Sequence, residues 1–258
     1  TNQVTAGGDL EIAVANVDWS KTPTMLSDAV TRFAGPVSSP GNERGPLLLE
    51  RGAWSEFANA LVFASDVAPE GQAASFDLYA VPDCDAYNGC QGALMSLSHL
   101  NSPDNDLYLT APFAPGRALM SSDRAGAAGA LGGYDLYDVQ WAAGAAMNEA
   151  PQAITPVTAL NSASDDEAPY VAVVDGLPPT VLFASARAGG QGGYDLYCAT
   201  WRDGAWSAPR ALPANSASDE YRPSVFRAAD KNFLLFSSNR PGGKGGYDLY
   251  AVEYRGCR

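Results

Sequence analysis

Phe236-Ser-Ser-Asn-Arg-Pro-Gly-Gly-Lys-Gly-Gly-Tyr-Asp-Leu-Tyr250 ends on a hexapeptide, Gly-Gly-Tyr-Asp-Leu-Tyr, that the chain uses three times. The copies are Gly132–Tyr137, Gly192–Tyr197 and Gly245–Tyr250, and a looser copy, Ser75-Phe-Asp-Leu-Tyr79, lies upstream. Their aspartates, Asp77, Asp135, Asp195 and Asp248, stand 58, 60 and 53 residues apart. Self-similarity at a near-constant spacing marks a repeat architecture, in which each unit buries its apolar face against its neighbours.

Two more short, β-rich runs precede each copy. In the last repeat they are Arg222-Pro-Ser-Val-Phe-Arg227 and Asn232-Phe-Leu-Leu-Phe-Ser-Ser-Asn-Arg240, both bounded by Gly, Pro, Asn or Asp. Such runs read as antiparallel strands joined by turns. A fourth strand follows most copies, as in Trp206–Leu212 and Ala153–Ala159. Four-stranded sheets repeated about an axis make a β-propeller, whose edges stay short and protected. The expected fold is therefore an all-β, small propeller of four-stranded antiparallel blades, one domain over residues 1–258. The repeats fall at approximately 46–100, 101–160, 161–214 and 215–258. The last has no fourth strand of its own, so residues 1–45 are expected to supply one and close the ring. Four blades are preferred; five is the alternative, because Gly7-Gly8-Asp9-Leu10 resembles a worn copy of the motif.

The 16 Lys and Arg against 29 Asp and Glu give a net charge of −13. Nucleic acids and anionic membrane surfaces need clustered basic residues and are excluded as partners. No apolar run approaches the length of a membrane span, so no direct membrane insertion is expected. Cations, glycans and proteins remain. Cys84-Asp-Ala-Tyr-Asn-Gly-Cys90 is a tight loop with a turn-forming Asn-Gly, suited to a local disulfide. A bond between Cys198 and Cys257 would pin the last strand. An even cysteine count in an acidic, Lys-poor chain points to an oxidising compartment.

The stretch 236–250 resembles the WD-like repeat of TolB-type β-propellers, a likeness running over roughly residues 36–254. It implies a bacterial, exported protein of the periplasm or cell surface that serves as a platform for other proteins. The repeats here are longer and fewer than is usual in that family.

Alignment of the first strands on Pro46, Leu107, Pro169 and Pro223 puts Glu43, Asp104, Asp166 and Glu220 in one register. Facing a channel mouth, such a ring of carboxylates would suit Ca²⁺ or a cationic side chain; the plainer reading is turn chemistry. Arg124, Arg187 and Arg240 follow the second strands, and Asp135, Asp195 and Asp248 open the third. Hairpin pairing would join them as structural pairs, since buried charge must be paired. The paired tyrosines of the motif read as packing between blades. With His99 the sole histidine, a Ser-His-Asp triad is not expected. The leading functional reading is a non-enzymatic, protein-binding propeller without catalytic residues. The alternative is a carbohydrate-binding or carbohydrate-active propeller with an acidic channel site.

Overall fold

The computed structural model describes residues 2–4, 10–18, 25–32, 36–37, 39–49, 59–67, 75–85, 88–145, 149–228 and 230–257. These residues are all strand, turn or loop, with no helix. The chain divides into two compact units, Thr1–Leu107 with Ala146–Asn148, and Tyr108–Ala145 with Glu149–Arg258.

In the first unit β1 (Asn2–Val4), β2 (Leu10–Asp18) and β3 (Met25–Arg32) form a three-stranded antiparallel sheet. The first repeat follows as β4 (Glu43–Leu49), β5 (Ala60–Ser65), β6 (Asp77–Pro82) and β9 (Met95–Ser96), paired in that order. Between its last two strands β7 (Cys84–Asp85) and β8 (Gly89–Cys90) make a small hairpin closed by the Cys84–Cys90 disulfide. Ile12, Val37, Leu61, Phe63 and Val81 pack with that disulfide in one core. β10 (Asp106–Leu107) ends the unit.

In the second unit β11 (Arg117–Ser122) pairs with β12 (Asp135–Gln140), and β12 with β13 (Ala153–Pro156). β14 (Asp166–Ala172), β15 (Thr180–Ser185) and β16 (Asp195–Arg202) build the next sheet. Two short strands, β17 (Ala205–Trp206) and β18 (Arg210–Ala211), both pair with β16. β19 (Glu220–Ala228), β20 (Lys231–Ser238) and β21 (Asp248–Glu253) make the last. The second disulfide, Cys198–Cys257, joins β16 to the segment after β21. The four repeats are thus four antiparallel blades, as the sequence pattern requires. Within residues 1–45 the described strands β1 to β3 pair with one another, and Glu43 and Arg44 begin β4 and pair with β5. Among the described residues β21 pairs with β20 alone, and Leu249 and Val252 are 36% and 41% exposed. The ring-closing strand expected from the N-terminal segment is therefore not among the described pairings.

Every letter of the hexapeptide has a physical reason. A Cβ on Gly192 would stand 1.8 Å from the Ser218 carbonyl oxygen, and one on Gly132 2.4 Å from that of Ser164, so only glycine fits against the following loop. The Tyr194 N–H donates to Asp219 Oδ1 at 3.0 Å, as the Tyr134 N–H does to Asp165. Asp195 accepts the N–H groups of Gln191 and Gly192 and closes its own hairpin loop. Leu196 is fully buried, and Asn215 clamps its N–H at 2.8 Å and its carbonyl at 3.0 Å. Asn161 does the same for Leu136, and Asn101 for Leu78 within the first unit. The final Tyr197 lies 4.6 Å beneath the Arg187 guanidinium, and Tyr250 4.8 Å beneath Arg240, cation–π contacts that hold both side chains. Each blade's third strand is thus completed by the loop that follows it. In the last blade Gly245 and Gly246 meet no atom within 4 Å.

The glycine pair makes a matched test. Gly192→Ala is expected to lower stability by about 1–3 kcal/mol through overpacking. Gly245→Ala, in open space, is expected to stay within about 0.5 kcal/mol of the parent. Urea denaturation of the two variants measures both; equal losses would show that the loop contact is not what demands glycine.

Candidate active site

Each first strand begins with a buried acid and then breaks register. Glu43, Asp106, Asp166 and Glu220 are all 0% exposed. In β4, β14 and β19 the pairing slips between Arg44 and Leu47, Glu167 and Tyr170, and Tyr221 and Ser224. At the bulge the backbone turns left-handed, at Gly45 (φ 58°), Tyr108 (55°), Ala168 (52°) and Arg222 (52°). For the three non-glycine residues this costs about 1–3 kcal/mol each, and such strain persists only where surrounding contacts over-determine it.

The acidic register needs one correction. Asp104 is not the counterpart of the other three; Asp106 is. The Asp106 N–H donates to the Phe76 carbonyl as those of Asp166 and Glu220 donate to Tyr134 and Tyr194, whereas the Asp104 N–H turns to Ser102 Oγ. The alignment on Leu107 misplaced the acid because the equivalent of the three prolines is Leu109. A serine four residues before each acid, Ser39, Ser102, Ser162 and Ser216, carries the true register.

The structural pairs are likewise re-drawn. Arg187 Nη2 bonds Asp166 Oδ1 at 2.7 Å and the Leu160 carbonyl at 2.6 Å. Arg240 Nη2 bonds Glu220 Oε1 at 2.8 Å and the Ala214 carbonyl at 2.9 Å. The arginines therefore tie the first-strand acids to the preceding blade's loop, not Asp195 and Asp248 as hairpin logic suggested. Arg124 Nε bonds Ser122 Oγ at 3.1 Å and its guanidinium lies over Tyr137. Asp135, Asp195 and Asp248 accept backbone N–H groups of their own loops. With Asp166 and Glu220 committed to arginine, serine and backbone, the expected Ca²⁺ ring has no oxygen set there. Among the described residues no three His, Cys, Asp or Glu side chains gather as a metal site.

What the repeats share is architecture; where they differ is at the bulge. The two residues after the acid are Arg44-Gly45, Leu107-Tyr108, Glu167-Ala168 and Tyr221-Arg222. Those of the second unit converge. The Tyr194 hydroxyl lies 2.8 Å from Glu167 Oε1 and 3.1 Å from Asp165 Oδ2. Its one proton serves one carboxylate at a time, so the second contact is satisfied when Glu167 carries a proton. The Tyr221 hydroxyl also donates to Glu167. Burial pushes the Glu167 carboxyl above its ordinary range; the tyrosine bonds and Arg222 pull against this, and Asp165 adds to it. Burial and the flanking carboxylates likewise drive the Tyr194 phenol far above its usual value. Arg222 Nε donates to the Tyr108 hydroxyl at 3.1 Å. Its guanidinium lies 5.5 and 5.6 Å from the ring centres of Tyr108 and Tyr221. Tyr221 meets Tyr108 and Tyr194 edge-on. The result is a tyrosine-walled cluster holding one protonatable acid, a second carboxylate and one guanidinium.

Glu167, Tyr108, Tyr221 and Arg222 were not singled out by sequence reasoning, which sought identity among repeats rather than departures from it. A separate cavity of about 200 Å³, bounded by Tyr170, Asp175, Phe226 and Arg227, sits toward the opposite ends of β14 and β19. It has one carboxylate and no acid pair.

No protein-family model matches the chain, and no curated protein does either. Solved structures do. The chain is similar to an endo-arabinase from Bacteroides thetaiotaomicron VPI-5482, with TM-score 0.56 and 11% identity over 90% of this chain and 82% of that one. It is similar to an α-L-arabinofuranosidase from Podospora anserina in complex with cellotriose (0.58, 11%, 99% and 86%). An exo-1,5-α-L-arabinanase from a bovine ruminal metagenomic library is a third (0.55, 10%, 89% and 85%). At these identities the likeness is one of fold, and the fold is a β-propeller. It overturns two expectations: the TolB-type family, and with it the non-enzymatic protein-binding role. The three similar structures carry the names of an endo-arabinase, an α-L-arabinofuranosidase and an exo-1,5-α-L-arabinanase.

Glu167 also sets a stability test. Its folded pKa is raised, so its contribution is fully present below the unfolded value and is lost as pH rises through the folded one. Glu167→Gln is therefore expected to gain on the parent in thermal stability as pH climbs above the ordinary carboxylate range. Melting curves from pH 4 to 8 check this; parallel profiles would contradict it.

Proposed function

We propose that the chain is a carbohydrate-active propeller that cleaves a glycosidic bond at the Glu167 cluster. The observation that carries this is Glu167, a carboxyl raised by burial, at the bulge position where the repeats stop resembling one another. Glycoside hydrolysis needs an acid that stays protonated near neutral pH to protonate the leaving oxygen. It also needs a second carboxylate; in retaining enzymes the two stand about 5–5.5 Å apart. Asp165, sharing the Tyr194 hydroxyl with Glu167, is the second carboxylate. The half-buried rings of Tyr194 and Tyr221 are flat, amphipathic surfaces of the kind that sugar faces pack against.

The chain's surroundings agree with this reading. Two disulfides suit an oxidising compartment outside the cytoplasm. No helix of the described residues is long and apolar enough to cross a membrane. The substrate class is a glycan, and the arabinose-directed names of the similar structures make arabinan and arabinoxylan the first to assay.

One observation favours a binding-only version of the same site. Asp165 Oδ1 is committed to the Tyr134 N–H, just as Asp219 is to Tyr194. A carboxylate held as architecture in two repeats has less freedom to meet an anomeric carbon.

A panel of plant-wall polysaccharides and aryl glycosides separates the versions. Hydrolysis by the parent that falls about 10²–10⁴-fold in Glu167→Gln, least with good leaving groups, identifies the proton donor. Binding without turnover supports the binding version, and neither binding nor turnover with any glycan would overturn both.

A further inference from the structure

Three arginines of the second unit share a pattern from which Arg222 departs. Arg117 pairs with Asp138, Arg187 with Asp166 at 2.7 Å and Arg240 with Glu220 at 2.8 Å. In each case the guanidinium, part-buried over aromatic rings, has a carboxylate of the chain within reach. Arg222 has the same aromatic bed, Tyr108 and Tyr221, and is also part-buried. Its one hydrogen bond, however, is from Nε to a neutral phenol, Tyr108, and it forms no ion pair. Among the described residues the two terminal nitrogens, the planar fork that grips a carboxylate with two parallel bonds, have no hydrogen-bond partner.

Glu167 lies close enough to interact with the charge on Arg222, but the fork itself makes no bond to it and stays open to an acceptor. The strained backbone at Arg222 (φ 52°) holds it beside Glu167 all the same. We propose that the site takes an acidic glycan, with the carboxylate of a uronic-acid residue received by the Arg222 fork. This rests on the carbohydrate-directed reading of the Glu167 cluster and narrows it to a class of sugar. The neighbouring groups allow it. Burial shifts Glu167 toward its protonated form, which lessens its repulsion of a bound carboxylate, and the phenols of Tyr108 and Tyr221 are amphipathic. A lysine would not serve equally, because a point charge cannot make the paired, coplanar contact.

The probes are short oligosaccharides of galacturonic, glucuronic and mannuronic acid, each set against its carboxyl-reduced neutral counterpart of the same linkage. Affinity is measured by titration calorimetry on the whole chain. In the parent, at least one acidic probe is expected to bind about 30-fold more tightly than its reduced twin. In Arg222→Gln that ratio falls toward one, and in Arg222→Lys most of it is lost, with circular dichroism and melting temperature confirming that both variants fold. Equal affinity of the parent for acidic and reduced probes, or a preference that survives Arg222→Gln, would overturn the acidic-sugar assignment while leaving a glycan site in place. Failure to bind any oligosaccharide, acidic or neutral, would overturn the carbohydrate reading along with it.

Discussion

The clasp between one blade's third strand and the loop that follows it is the contact on which the rest depends. An asparagine side chain mimics a peptide, taking the N–H and carbonyl of Leu78, Leu136 or Leu196 just beyond the end of the fourth-strand pairing. Four residues later a second side chain, Asn105, Asp165 or Asp219, takes the N–H of the residue that leads into the same strand. Unpaired backbone groups in a buried strand would each cost about 1–3 kcal/mol. The loop thereby satisfies the preceding blade and aims the first strand of the next. Its course fixes where the bulge falls, and the bulge fixes where Glu167 and Arg222 stand.

That arrangement separates architecture from chemistry within a few residues. In Asp165-Asp166-Glu167, the first carboxylate clasps the preceding blade, the second locks to Arg187, and the third faces the tyrosines. Three adjacent acids carry different duties because alternation along the strand and the bulge point them in different directions. A chain with net charge −13 keeps most of its buried carboxylates neutralised by arginine, serine hydroxyls and backbone N–H groups. Glu167 stands among phenols, and burial there raises its carboxyl above the ordinary range.

The sequence reveals the blades readily, because Gly-Gly-Tyr-Asp-Leu-Tyr is dictated by backbone contacts that recur in each repeat. The disulfide Cys84–Cys90 is legible for the same local reason. The pairing of Arg187 with Asp166 is not, since it depends on a partner 21 residues away across a bulge that shifts the register. Aligning on apolar residues placed Asp104 where Asp106 belongs, because a bulge moves side chains without changing composition. The reactive cluster escaped for the opposite reason: Tyr108, Glu167 and Arg222 share no motif. They are visible only as the positions where an otherwise faithful repeat disagrees with itself.

The clasp also has a direction. Each of the first three blades is finished by residues that come later in the chain, at Leu78, Leu136 and Leu196 alike. On the ribosome a newly emerged blade would therefore wait with open backbone groups and an uncovered Gly-Gly pair until the next loop arrives. Stability would accrue stepwise behind the growing end, each loop acting as a zipper tooth for the blade already made.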